Sequence, residues 1–248
     1  MNNYYKNKNI LIIGGSYGIG ESLCYKLAEF GANLAISARS EDKISKLCSK
    51  LQGNHLKFCC DITKESDLKN LQKNIFQKWQ KIDLIIICAG IYQPMNLDNF
   101  DLKIAKNILD VNFNSFFTFL DIFLKDFQTE KITHLAVISS VAGYFGMPNS
   151  LAYGASKAGL SHLVESIYYE LKKYKIKVQL INPAFVESRL TAKNNFKMPW
   201  IISSNQAAKI ILKNLPKKKF EIAFPWIFVQ ILKLLQKLPY RLRLLLFR

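Results

Sequence analysis

The sequence predicts an α/β fold: a doubly wound, mostly parallel seven-stranded sheet flanked by helices, in a single domain with an amphipathic C-terminal extension. Short apolar runs alternate with helix-like stretches, a glycine-rich turn follows the first run, and half of the residues are hydrophobic, which allows a large core. The length of 248 residues suits one large domain. We expect residues 1–224 to form that domain and residues 225–248 to form the extension.

Seven apolar runs predict the strands of the sheet. Between them apolar residues recur at helical spacing, as at Leu68, Leu71 and Ile75. Because strand and helix alternate regularly, we expect βαβ units and a sheet covered on both faces. The predicted strands are 9–13, 33–38, 56–60, 82–88, 134–139, 177–181 and 220–224. The predicted helices run from the glycine turn to residue 30 and over 41–51, 64–81, 102–127 and 152–174.

Cysteine and charge content narrow the class of protein. The five cysteines form no C-x-x-C pair and have no histidine cluster beside them, so we expect neither a disulfide scaffold nor a metal site. The N-terminus carries no signal-peptide pattern, and we expect a cytoplasmic protein. The net charge of +17 is concentrated after residue 192, where 12 Lys/Arg accompany one acid, Glu221. This asymmetry indicates either an anionic partner or a solubilising surface, but no nucleic-acid-binding motif appears and we expect no nucleic acid partner.

A glycine-rich turn follows the first predicted strand and opens a helix, which is the context of a Rossmann-type dinucleotide site. Glycines let the backbone turn tightly and approach a pyrophosphate, and the helix N-terminus offers unpaired N–H groups and a favourable dipole. A glycine-rich turn without a ligand is the alternative. The residues of this turn that we expect to contact a cofactor are Gly14, Ser16, Tyr17, Gly18, Ile19 and Gly20.

The end of the second strand indicates which dinucleotide binds. An acidic residue there binds the ribose 2′-hydroxyl of NAD, whereas an arginine accommodates the 2′-phosphate of NADP. The sequence reads Ser37-Ala38-Arg39-Ser40, with no carboxylate and with the planar donor fork of Arg39. The sequence therefore predicts NADP(H) as the cofactor. The alternative is that Arg39 is a surface residue at the start of the next helix.

Tyr153 and Lys157 lie four residues apart and project from one face of a predicted helix. An ammonium near a phenol favours the phenolate, so we expect Lys157 to lower the pKa of Tyr153 from about 10 and make it a general acid/base. Ser139 and Ser140 end the fifth strand, at the edge where open parallel sheets bind ligands. A hydroxyl there can donate a hydrogen bond to a substrate carbonyl.

Taken in order, these features resemble the short-chain dehydrogenase/reductase family over residues 8–195. The resemblance implies an enzyme that interconverts a carbonyl and an alcohol: Ser140 orients the carbonyl, Tyr153 transfers the proton, and Lys157 holds the nicotinamide ribose. Asn112 resembles the asparagine that positions a water in the family's catalytic tetrad. The further cofactor contacts that the resemblance implies are Asp61, Ile62, Ala89, Gly90, Pro183, Val186 and Ser188.

Three positions depart from the family pattern. Ile13 stands where threonine is usual, Cys88 replaces the asparagine of an Asn-Ala-Gly motif, and Ala184 replaces a glycine after Pro183. A local hydrogen bond and a sheet-stabilising side-chain bond are in doubt there, but no catalytic position is lost. Sugar-nucleotide epimerases share the Tyr–Lys chemistry but need a larger substrate domain than this chain offers.

Residues 190–204 take the place of the family's substrate lid. Their apolar side chains predict a wall that suits a hydrophobic, lipid-like substrate, although packing on the body of the protein is the alternative. Two other functions stay open: a 3-oxoacyl-thioester reductase, and a non-catalytic NADP-binding scaffold at a membrane. The apolar residues of the segment are Phe196, Met198, Pro199, Trp200 and Ile201.

The extension, residues 225–248, mixes large apolar side chains with Lys and Arg. Its apolar runs are too short to span a bilayer, but a polar stripe on a broadly apolar helix, broken near Pro239, is typical of peripheral membrane contact. Packing on the same chain or on a partner subunit is the alternative. The family often forms dimers or tetramers through two long helices, so we expect a homodimer or homotetramer. Five phenylalanines between residues 113 and 123 make the first of these helices unusually aromatic, and some of that face must be buried against the sheet or a partner.

Overall fold

The structure, a computed structural model, describes residues 2–193 and 198–246. One sheet is formed by strands β1 (Asn9–Ile13), β2 (Asn33–Ala38), β3 (Leu56–Cys59), β4 (Leu84–Ile87), β5 (His134–Ile138), β6 (Lys177–Pro183) and β7 (Glu221–Phe224). The strand order is β3-β2-β1-β4-β5-β6-β7, and every neighbouring pair is parallel. The predicted doubly wound, seven-stranded α/β fold is confirmed, and the sheet is parallel throughout.

Helices flank the sheet. They are α1 (Asn2–Tyr5), α2 (Gly18–Glu29), α3 (Glu41–Cys48), α4 (Glu65–Lys78), α5 (Leu102–Leu109), α6 (Ser115–Gln128), α7 (Leu151–Lys172), α8 (Ser204–Asn214), α9 (Trp226–Lys237) and α10 (Tyr240–Leu245). A π-helical turn, Asp110–Asn114, separates α5 from α6, so the single helix predicted over 102–127 is wrong at this point. Such turns insert an extra residue into a helix and are frequent at functional sites.

Alternation along the central strand divides the core between the two faces of the sheet. In β1, Ile10 and Ile12 join the cluster that packs against α2, α3 and α8. Leu11 and Ile13 point the other way, into the cluster with α4, α6 and α7. Both faces of the strand are therefore buried, which is why its sequence is continuously apolar.

The phenylalanine-rich helix α6 packs mainly on the sheet. Phe116, Phe119 and Phe123 are fully or almost fully buried in the cluster on that face. Phe117 points outward and is 51% exposed, with Phe113 against its ring edge at 5.4 Å between ring centroids. The burial expected for this aromatic stretch is thus provided mostly by the chain's own sheet.

Helix α8 was not predicted. It begins with a capping box, in which the Ser203 side chain accepts from the backbone N–H of Gln206 and the Gln206 side chain accepts from the backbone N–H of Ser203. Its buried side chains, among them Ile211 and Leu212, pack into the same cluster as α2. Because lysines and polar residues fill its outer side, the helix lacks the strong apolar signal of its neighbours.

The extension folds as two helices, and the break predicted near Pro239 is confirmed. The inner face of α9 is packed on the chain itself: Val229 and Leu232 are buried against Val141 and Phe145. No helix in the described ranges is long and apolar enough to cross a bilayer.

Candidate active site

A cavity of about 460 Å³ lies at the carboxyl ends of the central strands. Strand β1 is bordered by β2 on one side and β4 on the other, so the chain changes winding direction here, which is where open α/β sheets bind ligands. The glycine turn after β1, the end of β5 and the first turns of α7 all contribute lining residues. The residues on which the sequence analysis depends most therefore meet in one place.

The glycine turn leaves backbone exposed to the cavity. Gly14 has a φ of +89°, and a Cβ there would lie 2.5 Å from the backbone N of Ala89, so no side chain fits. A Cβ on Gly20 would collide with the carbonyl oxygen of Gly14. The residue before α2, Tyr17, makes no side-chain cap, so no such cap occupies the first N–H groups of the helix. These groups fit an anionic pyrophosphate.

The end of β2 carries cations beside the turn. Arg39 lines the cavity as predicted, and Lys43, from the first turn of α3, lines it as well. The Lys43 ammonium lies 4.7 Å from the centre of the Tyr17 ring, and the Arg189 guanidinium stacks on the same ring. Lys43 and Arg189 were missed by sequence reasoning. Arg189 directly follows the Pro183 motif, but no local pattern indicates that its side chain turns back to Tyr17.

Asp61, after β3, also lines the cavity. Its Oδ1 accepts from the backbone N–H of Thr63 at 3.0 Å and from the Thr63 hydroxyl at 2.8 Å, which fixes the carboxylate at the end of the strand. Among the described lining residues it is the one acid, against the cations Arg39, Lys43, Lys157 and Arg189. The wall as a whole favours an anionic ligand. The remaining predicted cofactor contacts that line the cavity are Ser16, Gly18, Ile19, Ile62, Ala89, Gly90, Pro183, Val186 and Ser188.

Two neighbouring serines at the end of β5 have different partners. The Ser139 hydroxyl bonds to the backbone oxygen of Lys157 at 3.1 Å and to the hydroxyl of Ser161 at 2.8 Å, which ties the strand to α7. The Ser140 hydroxyl accepts from the backbone N–H of Ala142 at 3.1 Å and is hydrogen-bonded to Tyr153. Ser140 is thus the serine that contacts the tyrosine.

Burial is the largest influence on the pKa values of Tyr153 and Lys157. It raises the pKa of Tyr153 to about 12, against the lowering effect of the Ser140 hydrogen bond. The Lys157 Nζ lies 5.9 Å from the ring centre and donates to the backbone oxygen of Ile138 at 3.1 Å. The pKa of Tyr153 is therefore raised and not lowered as expected, because desolvation is the largest influence on it and the Lys157 ammonium is not among the groups that shift it.

Lys157 is itself a buried cation. Desolvation lowers its pKa to about 8. Burial likewise raises the pKa of Cys88 to about 12, so the residue that stands where the family has asparagine is a neutral thiol beside the lysine at neutral pH. Cys88 therefore brings no negative charge to the Lys157 ammonium.

Asn112 lies in the π-helical turn and is buried. It is not among the described residues that line the cavity. Its side chain accepts from the backbone N–H of Ile91 at 2.8 Å and donates to the Ile91 carbonyl at 2.9 Å. It also donates to Ser156, the neighbour of Lys157, at 3.1 Å. Asn112 thus joins the loop after β4 to α7, and a Cβ on Gly90 would lie 3.4 Å from the Asn112 Oδ1 and 3.6 Å from the Lys157 Nζ, so both groups border this glycine.

The cavity has an apolar wall that differs from the predicted one. It is formed by Met147, Phe185, Leu190 and, from the extension, Phe228 and Leu232. In the predicted wall, residues 198–201 are described by the structure but do not line the cavity. Phe196 falls outside the described ranges. Tyr92 was also missed: its ring meets that of Tyr153 edge-on, 4.8 Å between centroids.

Helix α9 is held against the loop after Ser140 by aromatic and polar contacts. The Phe228 ring lies 5.8 Å from that of Phe185 and 5.5 Å from that of Trp200, measured between centroids. On its inner side, Lys233 forms an ion pair with Glu221, which also accepts from the Tyr144 hydroxyl at 2.5 Å. The single acid of the C-terminal quarter therefore joins β7, α9 and the loop after Ser140.

Comparison with known proteins gives the family. The sequence model of the short chain dehydrogenases matches residues 8–199. The chain belongs to the short-chain dehydrogenase family. It is 29% identical over 222 residues to an uncharacterized oxidoreductase of Myxococcus xanthus, covering 88% of each chain. It is 30% identical over 190 residues to a 3-oxoacyl-[acyl-carrier-protein] reductase of Rickettsia bellii, covering 75% of each.

Solved structures share the fold of this family member. A short chain dehydrogenase from Burkholderia cenocepacia, in complex with NADP, superimposes with a TM-score of 0.82 at 19% identity, over 97% of this chain and 96% of the other. A short chain dehydrogenase/reductase from Burkholderia phymatum, in complex with NAD, gives a TM-score of 0.81 at 17% identity over 93% of each chain. At these identities the likeness extends to the fold alone. No cluster of potential metal ligands occurs in the described ranges.

Proposed function

We propose that this family member is an NADP(H)-dependent oxidoreductase that interconverts a carbonyl and an alcohol on a hydrophobic substrate. The observation that carries the proposal is the meeting of Ser140, Tyr153 and Lys157 with the glycine turn in one cavity. A scaffold that only bound a nucleotide would need the turn but none of those three side chains. The enzyme is therefore favoured over the non-catalytic alternative.

The protein groups have separable parts in this chemistry. The Tyr153 hydroxyl is protonated at neutral pH because burial raises its pKa to about 12, so it is set to donate a proton to the substrate oxygen during reduction. Ser140, bonded to that hydroxyl, orients the carbonyl beside it. Lys157 supplies a nearby positive charge and donors for a ribose. Asn112 acts as a positioning residue through Ile91 and Ser156.

The cavity fits NADP(H) in its charge and backbone. The N–H groups at the start of α2 would bind the pyrophosphate, and Arg39 with Lys43 would bind a ribose 2′-phosphate. The segment from Pro183 to Ser188 would hold the carboxamide side of the nicotinamide, and Asp61 the adenine amine. The bound cofactor supplies the hydride, and the chain supplies the binding, orientation and proton transfer.

The substrate class follows from the apolar wall. Met147, Phe185, Leu190 and Phe228 line the same cavity as Tyr153 with hydrocarbon and aromatic surface, which favours a long-chain or ring-containing carbonyl over a small polar one. A 3-oxoacyl thioester is a second candidate, because the Rickettsia bellii relative is named as a reductase of that compound class.

The test is oxidation of NADPH and of NADH, followed by the absorbance of the reduced nicotinamide, against a panel of carbonyls. The panel spans small aldehydes, long-chain 3-oxoacyl thioesters, sterol-type ketones and quinones, with Tyr153→Phe as the control. We expect turnover with NADPH on apolar members of the panel and its loss in the variant. Tight binding of NADPH with no turnover on any carbonyl would instead support a non-catalytic role.

A further inference from the structure

Large apolar side chains are exposed along the outer face of α9 and on α10. On α9, Trp226 is 71% exposed and Leu234 is 65% exposed, with Ile227 and Ile231 between them on the same side. On α10 no described residue is buried. We call these exposed side chains of residues 226–246 the extension face. Soluble surfaces rarely carry so many large apolar residues together without a partner.

The charge of this face is of one sign. Lys237 and Arg241 are exposed beside its apolar residues, and Arg243 rests over the rings of Phe145 and Tyr240. Residues 225–248 contain no acid, and Lys233, the cation nearest the core, is already paired with Glu221. Apolar side chains mixed with unopposed cations match a surface that is both hydrocarbon-rich and anionic.

This charge pattern argues against a second copy of the chain as the occupant. Two such faces brought together would place Lys237 and Arg241 of each copy against cations, with no Asp or Glu side chain from the extension to neutralise them. An anionic bilayer offers both of the missing components, acyl chains for the apolar residues and phosphate groups for the cations. Tryptophan and tyrosine at the edges of the face, Trp226 and Tyr240, are residues that prefer the membrane–water interface.

We infer that the extension face binds the surface of an anionic lipid bilayer and that α9 is the wall between that surface and the cavity. The inner side of the same helix supplies Phe228 and Leu232 to the cavity lining, while the outer side is exposed. Trp200, 51% exposed and 5.5 Å from Phe228 between ring centroids, adjoins the face from the lid. A bilayer-bound protein would therefore hold its substrate end one helix away from the lipid.

The test is flotation of the full-length protein with vesicles of phosphatidylcholine alone or mixed in equal parts with phosphatidylglycerol. We expect binding to the anionic vesicles that weakens as salt is raised. The double variant Lys237→Glu with Arg241→Glu should weaken it by about tenfold or more, and Ile227→Ser with Leu234→Ser should abolish it. In a Trp79→Phe background, the emission of the two remaining tryptophans, Trp200 and Trp226, should shift to the blue on binding.

Matched controls separate this face from general effects. Lys73→Glu with Lys78→Glu changes the same charge on α4, and Leu97→Ser with Leu102→Ser removes two exposed leucines elsewhere; both should bind vesicles as the unchanged protein does. All variants should keep their melting temperature and NADPH affinity, so a folding defect is detected separately, and vesicle binding needs no turnover. Absence of vesicle binding, or equal and salt-independent binding to uncharged vesicles, would overturn the inference. So would self-association that the Ile227→Ser, Leu234→Ser variant removes in the absence of vesicles.

Discussion

At the scale of single residues, burial shifts the pKa values of Tyr153 and Lys157 in opposite directions, in each case favouring the uncharged form. Tyr153 is kept neutral, with its pKa raised to about 12, and Lys157 is a cation whose pKa is lowered to about 8. Both shifts arise from desolvation, which spacing along a helix cannot reveal. The site therefore has a proton donor ready at neutral pH and a lysine that is costly to bury.

The cost of burying Lys157 predicts a pH dependence of stability. Below about pH 8 both the folded and the unfolded protein hold the proton, so the penalty is fully present; between pH 8 and 10.5 only the unfolded protein holds it, so stability rises with pH. The gain in unfolding free energy should be on the order of 3 kcal/mol at most. Urea unfolding of the cofactor-free protein from pH 7.5 to 10.5 should show this rise relative to Lys157→Met. Parallel curves for the two proteins would contradict it.

The position of Arg39 in the cavity predicts that this residue selects NADPH over NADH. Replacing it with alanine removes charge-assisted hydrogen bonds to a 2′-phosphate, so NADPH should bind about 10- to 100-fold more weakly while NADH binding is unchanged. Lys46→Ala, an exposed lysine on the same helix as Lys43, is the control and should affect neither. Titration by nicotinamide fluorescence measures both. Equal weakening of NADPH and NADH would show that Arg39 does not read the 2′ position.

At the scale of elements, sequence reasoning found what local spacing encodes. The glycine turn, the Tyr153–Lys157 pair and the serines after β5 each depend on a few neighbouring positions, and all meet in the cavity. Arg189 and Phe228 were missed because their side chains reach the cavity only after distant segments fold back over it, whereas Lys43 and Tyr92 lie close to predicted site residues but carry no local pattern that marks them. The π-helical turn at Asn112 could not be read either, since a helix pattern continues on both sides of it.

The position of α9 at the cavity predicts that it contributes to the binding of long apolar substrates but not to the binding of NADPH. Phe228→Ala should lower kcat/KM for long apolar carbonyls about 10- to 100-fold, because a buried aromatic surface is lost from the wall, and should leave small aldehydes and NADPH affinity nearly unchanged. Phe100→Ala, at a residue 54% exposed, is the control. The steady-state kinetics of short and long substrates measure the effect. Equal losses on both would indicate damage to the fold instead of a lost wall.

At the scale of the whole molecule, one sheet edge joins two differently built halves. The half from β1 to β3 supplies the glycine turn and the cations Arg39 and Lys43, and its parallel pairing follows from the alternating pattern of the sequence. The half from β5 to α9 supplies the three side chains proposed as catalytic, Ser140, Tyr153 and Lys157, and the apolar wall. The position of the extension could not be derived from the sequence, because its pattern suits contact with a membrane, with a partner subunit or with the chain's own core. In the structure its inner face packs on the chain's own core.

The proposed hydride transfer from NADPH to a carbonyl needs both halves of the molecule at once. An isotope-labelling experiment on this transfer is therefore the decisive measurement. Reduced NADPH carrying deuterium at the transferred position is incubated with the best carbonyl of the panel, and the alcohol is analysed by mass spectrometry. We predict one deuterium on the former carbonyl carbon, formed at least about 100-fold more slowly by Tyr153→Phe with NADPH binding retained. Alcohol without deuterium, or label transfer at an equal rate in Tyr153→Phe, would contradict the account.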